Sequence, residues 1–213
     1  TRPLEFRFTQ PIIGELPVLN VDFSRLKSVS LDGHVATRGV HEFLNRFSDL
    51  HRLALRNFQL NEIPEIVVKS PGLRQLILRN CAITLNLQSH ATLSALDQLV
   101  LLDLYKNPLG LMPDVENLPH LNYVVFSETG INAIPNGLLS RPRLRTALLN
   151  NNHISELPAA LFDLPKTTRD GIDLGGNPLS AAARERIKSH FNRPHQDLGV
   201  LAEQPDTHRV QAS

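Results

Sequence analysis

The stretch LVLLDLYKNPL, Leu99 to Leu109, sets leucine at 99, 102, 104 and 109, with Asn107 between the last two. The same frame, LxxLxLxxNxL, returns as LHRLALRNFQL from Leu50, LRQLILRNCAI from Leu73, LNYVVFSETGI from Leu121 and LRTALLNNNHI from Leu144. Successive copies start 23, 26, 22 and 23 residues apart. Self-similarity at that period marks a chain built from stacked structural repeats. Weaker copies flank the five. LKSVSLDGHV keeps Leu26, Val29 and Leu31 but has His34 where Asn would stand, and RDGIDLGGNPL keeps Ile172, Leu174, Asn177 and Leu179 behind Arg169.

The xLxL core of each copy alternates with period two, which reads as a strand with one buried face. A single repeat cannot bury its leucines, so neighbours stack with strands roughly 4.8 Å apart and share one apolar core. The expected fold is an α/β leucine-rich repeat solenoid, a horseshoe with a parallel concave sheet and a helical or irregular convex side. The ladder position reads His34, Phe58, Cys81, Asn107, Thr129, Asn152 and Asn177. An Asn amide there can satisfy backbone groups of the turn that leaves each strand. Phe58 cannot.

A chain of 213 residues that is 41% hydrophobic suffices for a substantial core, and a solenoid counts as one domain. We divide it into an N-terminal cap (1–25), about seven repeats (26–179), a capping helix (180–193) and a polar tail (194–213). Phe6, Phe8, Ile12, Ile13, Leu16 and Phe23 are expected to cover the first repeat. Val40, Phe43, Leu44 and Phe47 fall at helical spacing, which predicts a helix on the convex side. Pro64, Pro135 and Pro158 end extended runs and turn the chain back. In the longer connection before Leu99, Leu85, Leu87, Leu93 and Leu96 are expected to point inward. Ser180 is the expected N-cap of a last helix with Ala183, Ile187 and Phe191 on one face.

Lys plus Arg number 22 against 21 acidic residues, a net charge of +1, so a general affinity for nucleic acid is not indicated. The single cysteine excludes an intramolecular disulfide. No apolar run approaches the roughly 20 residues of a membrane span. The chain opens at Thr1 with neither Met nor a signal-like segment, which reads as a fragment or processed product.

Stacking aligns equivalent side chains in columns on the concave face, and those columns are where function is sought. The column between the inward residues reads Ser30, Ala54, Ile77, Asp103, Val125, Leu148 and Asp173, apolar in its middle. Leu101 and Tyr123 stand in a neighbouring column and Tyr105 in the one after the strand. Arg52, Arg56, Arg74 and Arg79 gather toward the N-terminal side with His51, and Arg56 and Arg79 share a column. Like charges about 5 Å apart repel, so either Asp103 neutralises part of this cluster or a partner does. Adjoining basic and apolar patches on a curved repeat surface point to protein binding. Solvated surface is the plain alternative.

Other chemistry finds no support. Cys81 occupies a ladder position and has no His fixed beside it. The nine histidines include no HExxH and no pair with metal-ligand spacing and a third ligand. Asp170 and Asp173 are explained by the repeat frame. No phosphate-binding glycine loop occurs. No cofactor is expected.

Three features carry a family resemblance: ELPVLNVDFSRLKSVSL from Glu15, the LP turns, and IDLGGNPLSAAARERIKSHFNR from Ile172 followed by DLGV. They resemble the leucine-rich repeat region of bacterial secreted ubiquitin ligases of the IpaH-like, NEL type, across nearly the whole chain. The resemblance implies a bacterial protein delivered into a host cell, whose repeats select the host protein to be ubiquitinated and can restrain a following catalytic domain. That catalytic domain carries a cysteine nucleophile, which Cys81 does not match. By this reading the chain is a substrate-recognition portion whose partners are a host protein and the catalytic domain of its own parent. A stand-alone scaffold without ligase activity is the alternative, and an enzyme in its own right a third reading.

Overall fold

The computed structural model describes residues 4–190. Its strands follow one another across a single sheet in chain order: β1 (Glu5–Phe8), β2 (Ser28–Asp32), β3 (Arg52–Arg56), β4 (Gln75–Arg79), β5 (Leu101–Asp103), β6 (Tyr123–Val125), β7 (Thr146–Leu148) and β8 (Ile172–Asp173). Every pairing is parallel. Register follows the repeat frame, so Leu53, Leu76, Leu102, Val124, Ala147 and Ile172 lie side by side. All six are buried, in one continuous core that runs the length of the sheet. The fold is an α/β leucine-rich repeat solenoid.

β1 is an addition to what the frame predicts. Glu5-Phe6-Arg7-Phe8 pairs with β2 one full period upstream, Glu5 beside Ser28. The Phe6 ring lies 5.5 to 6.2 Å from those of Phe23, Phe43 and Phe47, and Phe23 stacks on Phe47 at 4.8 Å. Leu16 and Phe23 are buried and Ile12 is partly so, closing that end of the core. Phe8 and Ile13 instead remain 50% and 75% exposed. Among the described residues β1 is the outermost strand, and no other strand lies beside it to cover them.

The convex side carries short elements: α1 (Val40–Leu44), α2 (Glu65–Val68), α3 (Leu87–Ser94) and α4 (Lys166–Arg169), with 3-10 turns at Leu138–Ser140 and Ala159–Leu161. Val40, Phe43, Leu44 and Phe47 are buried, although α1 ends at Leu44. Pro64 and Pro158 sit in extended conformation at the N-caps of α2 and of the second 3-10 turn, where a missing N–H costs nothing. In α3, Asn86 and Ser89 form a reciprocal capping box. That cap fixes Leu87 at the first helical position, where it is 84% exposed rather than inward, while Leu85, Leu93 and Leu96 are buried. After β8, the Ser180 hydroxyl accepts from the Ala183 N–H at 3.1 Å and opens α5 (Ala181–His190). Ala183 and Ile187 are buried against the last repeat. Phe191 and the tail from Pro194 lie outside the described residues.

The ladder is a set of staples between repeats. Asn107 Oδ1 accepts from the N–H groups of Cys81 and Ile83, both at 3.0 Å, and its Nδ2 donates to Leu78 O and Leu104 O at 2.6 and 2.9 Å. Asn152 repeats this pattern on Thr129, Gly130, Phe126 and Leu149. Asn177 does so on Ile154, Leu149 and Leu174. Thr129 achieves part of it, its hydroxyl donating to Phe126 O. Cys81 offers its thiol to Arg79 O at 3.2 Å and, weakly, to Leu55 O at 3.6 Å. Phe58 contributes volume instead. Its ring occupies the space a Cβ at Gly33 would need, so the bulky ladder residue is matched to a glycine one repeat earlier.

Candidate functional site

The candidate face is assembled by strand alternation. Three columns cross the sheet, and their register is fixed by the pairings of β2 through β7. The first contains Arg52, Gln75, Leu101, Tyr123 and Thr146, all half-buried. The middle column is the floor. Ala54, Ile77, Asp103 and Val125 are buried, Ile77 at 7% and Val125 at 2% exposure, between the half-buried columns on either side. Ile77 and Val125 therefore offer little area to a partner. Leu148, farther along, is half-buried. The third column carries Asp32, Arg56 and Arg79 in register, with Tyr105 following β5.

The arginine cluster resolves into separate fates. Arg79 Nε donates to Asp103 Oδ2 at 2.6 Å, and its guanidinium lies 5.6 Å from the Tyr105 ring centroid. The other Asp103 oxygen accepts from the Tyr105 N–H at 3.1 Å. Arg52 reaches Glu5 at 3.3 Å and Gln75 at 3.1 Å. Arg56, beside Arg79 and Asp32, forms no ion pair among the described residues. Arg74 stands one residue before β4, outside the alternation that defines the columns, at the sheet's edge. Asp103 thus pairs with one arginine and Glu5 with a second, while Arg56 and its column neighbour Asp32 form no ion pair among the described residues.

Two groups escape a reading confined to the repeat frame. Glu5 belongs to the unpredicted β1. Glu128 accepts from the Tyr105 hydroxyl at 2.8 Å, which fixes the ring and raises the Tyr105 pKa above its ordinary value. Glu128 occupies a recurrent left-handed turn position shared with Asn57, Asn80, Lys106, Asn151 and Gly176. Asn and Gly suit that backbone, so three asparagines and a glycine in phase were the available signal.

The buried Cys81 is placed as a structural ladder residue. Burial pushes the Cys81 thiol up to about 11. Against an ordinary value of 9.0, that lowers the thiolate fraction near pH 8 by about a hundredfold. Native protein should be alkylated by iodoacetamide at pH 8 at least that much more slowly than denatured protein. Equal rates would show an accessible thiolate. Among the described residues no group of His, Cys, Asp or Glu is placed to hold a metal ion, and no helix is long and apolar enough to cross a membrane. A groove of about 780 Å³ lies off the candidate face, between Arg143, Arg145 and Thr167–Thr168.

No family model matches the chain, and no curated protein does. Among solved structures, the chain is similar to a leucine-rich repeat protein of Leptospira interrogans, with a TM-score of 0.57 and 19% identity over 79% of this chain. The match spans 48% of that protein's length. At this identity the likeness carries the repeat fold.

Proposed function

We propose that the concave face recognises a protein partner. The observation that carries this reading is a half-buried strip of Leu101, Tyr105, Tyr123 and Leu148 across β5 to β7, with Arg79 and then Arg56 on the two strands before it. Aromatic and aliphatic side chains desolvate well against a partner, while the guanidinium of Arg56, beyond Arg79, favours an acidic surface and steers its approach. Tyr105 is held by Glu128 and by Arg79 before any partner arrives, which lowers the ordering cost of binding. Ile77 and Val125 support the strip from below.

The finer reading is that this recognition serves a bacterial NEL-type ubiquitin ligase delivered into a host cell, with the chain choosing the substrate. It is supported by the IDLGGNPLS segment that begins with β8 and by the basic helix that follows it. The test is a ubiquitination assay of the full-length parent, with and without residues 1–213, in host-cell lysate with activating and conjugating enzymes. Substrate labelling that disappears without this segment supports it, and a rise in self-ubiquitination shows restraint of the catalytic domain. A parent that forms no ubiquitin chains in either form rejects the ligase reading and leaves a repeat scaffold.

A further inference from the structure

The groove of about 780 Å³ opens at the edge of the sheet where β6, β7 and β8 begin. One wall is the turn 142–145 that leads into β7. The other is Thr167 and Thr168 of α4, which leads into β8, and Asn122 stands just before β6. β5 precedes these strands and α5 follows them, so the groove is formed inside the array.

Both walls are held in place. Asn122 Nδ2 donates to Arg143 O at 2.8 Å, and the Asn122 main-chain carbonyl accepts from the N–H groups of Arg145 and Thr146 at 2.9 and 3.1 Å. The backbone that carries Arg143 and Arg145 is therefore tied down, while both side chains stay exposed. The second wall is drawn in at Gly171. A Cβ there would run into Arg145 O, so glycine alone lets the chain leaving α4 lie against the first wall.

The groove is rich in donors and lacks an anion. Arg143 and Arg145 form no ion pair among the described residues, and no carboxylate stands in the lining. Counting back from the pairing of Ala147 with Ile172 sets Asp170 level with Arg145, but both Asp170 oxygens accept from Lys166 Nζ, at 3.0 and 2.8 Å. Two guanidiniums in one groove repel each other, which a ligand with two negative charges relieves. The hydroxyls of Thr167 and Thr168 add donors on the facing wall. A phosphate monoester carries nearly two negative charges at neutral pH and three acceptor oxygens, in the geometry that suits the arginine fork. A carboxylate brings half that charge.

We propose that this groove binds a phosphate monoester, with Arg143 and Arg145 on its oxygens and the threonine hydroxyls donating from the opposite wall. The group is the same chemistry whether it sits on a small molecule or on a phosphorylated side chain of a protein.

Amide NMR shifts of the isotope-labelled 213-residue chain, recorded at constant ionic strength, test this. The probes are inorganic phosphate, O-phosphoserine and acetate. The two phosphates should saturate at millimolar concentration and move the amides of Asn122, Arg145 and Thr168, while acetate binds at least about tenfold more weakly. Arg143→Gln and Arg145→Gln should each weaken O-phosphoserine binding at least about tenfold. Arg46→Gln removes the same charge from an exposed position after α1 and should leave it unchanged. Peptides recovered from a library with one central phosphoserine distinguish the sources. Binding at least about tenfold tighter than O-phosphoserine assigns the phosphate to a protein segment, and equal binding assigns it to a small molecule. No saturable shift at these amides, acetate as good as phosphate, or an Arg46→Gln effect as large as that of Arg143→Gln overturns the proposal.

Discussion

Replacement of Asn107 by alanine should destabilise the fold by about 4 kcal/mol, since it strands several buried backbone groups at about 1–3 kcal/mol each. The amide joins two repeats. Without it, the N–H groups of Cys81 and Ile83 and the carbonyls of Leu78 and Leu104 lose their side-chain partner where water does not reach. Because neighbouring repeats supply most of each other's stability, a lost staple at the centre of the array weakens the whole transition rather than one end. Urea unfolding of Asn107→Ala against wild type measures the effect. Asn132→Ala, at an exposed loop position, is the control and should fall within about 0.5 kcal/mol of wild type. A central variant as mild as that control would show that the ladder is decoration.

The second large effect is expected at the Arg79–Asp103 pair. Asp103 is 3% exposed, and Arg79→Met would leave its carboxylate only the Tyr105 N–H. Breaking a buried pair from one side costs about 3–5 kcal/mol. Arg79 is 41% exposed in its side chain, so water softens the loss and about 2 kcal/mol is expected here. Asp103→Val should cost less, because the freed guanidinium can hydrate and Ile77 and Val125 beside it accept an apolar neighbour. The double variant should return to within about 1 kcal/mol of wild type. Unfolding free energies of all four proteins close the cycle. Strict additivity would mean that the two side chains do not act as a pair.

Most of the fold was legible because period and alternation are properties of side-chain order alone. Leucines at 50, 53 and 55 and at 73, 76 and 78 sit in matching places, and the pairing of Leu53 with Leu76 follows from that spacing. β1 was not legible. Counting one period back from Leu26 puts Pro3 in the first-leucine place, and counting back from His34 puts Pro11 in the ladder place. Both defining residues are therefore missing, and only the brief Phe6, Phe8 alternation remains. Leu87 was misplaced because its composition says inward while its position behind the Asn86 cap decides otherwise.

The candidate face was legible as columns but not as surface. Alternation places Ile77, Leu101, Asp103, Tyr123 and Val125 on one side of the sheet. Exposure then depends on how tightly adjacent columns close over one another, which a list of residues does not contain. The fate of the arginines was hidden for a similar reason. The split of Arg52 to Glu5, Arg79 to Asp103 and Arg56 to neither depends on a strand outside the visible frame and on side-chain reach.

The most direct test of protein recognition by the concave face is calorimetric titration of a verified ubiquitination substrate against wild type and three variants. Arg56→Glu and Tyr123→Glu alter the face, while Val68→Glu alters an exposed convex position on α2. If the concave face binds the partner, the Kd rises at least about tenfold with each of the first two, a loss of roughly 1.4 kcal/mol or more, and is unchanged by the third. Equal affinities for all four proteins, or a loss confined to Val68→Glu, would contradict it.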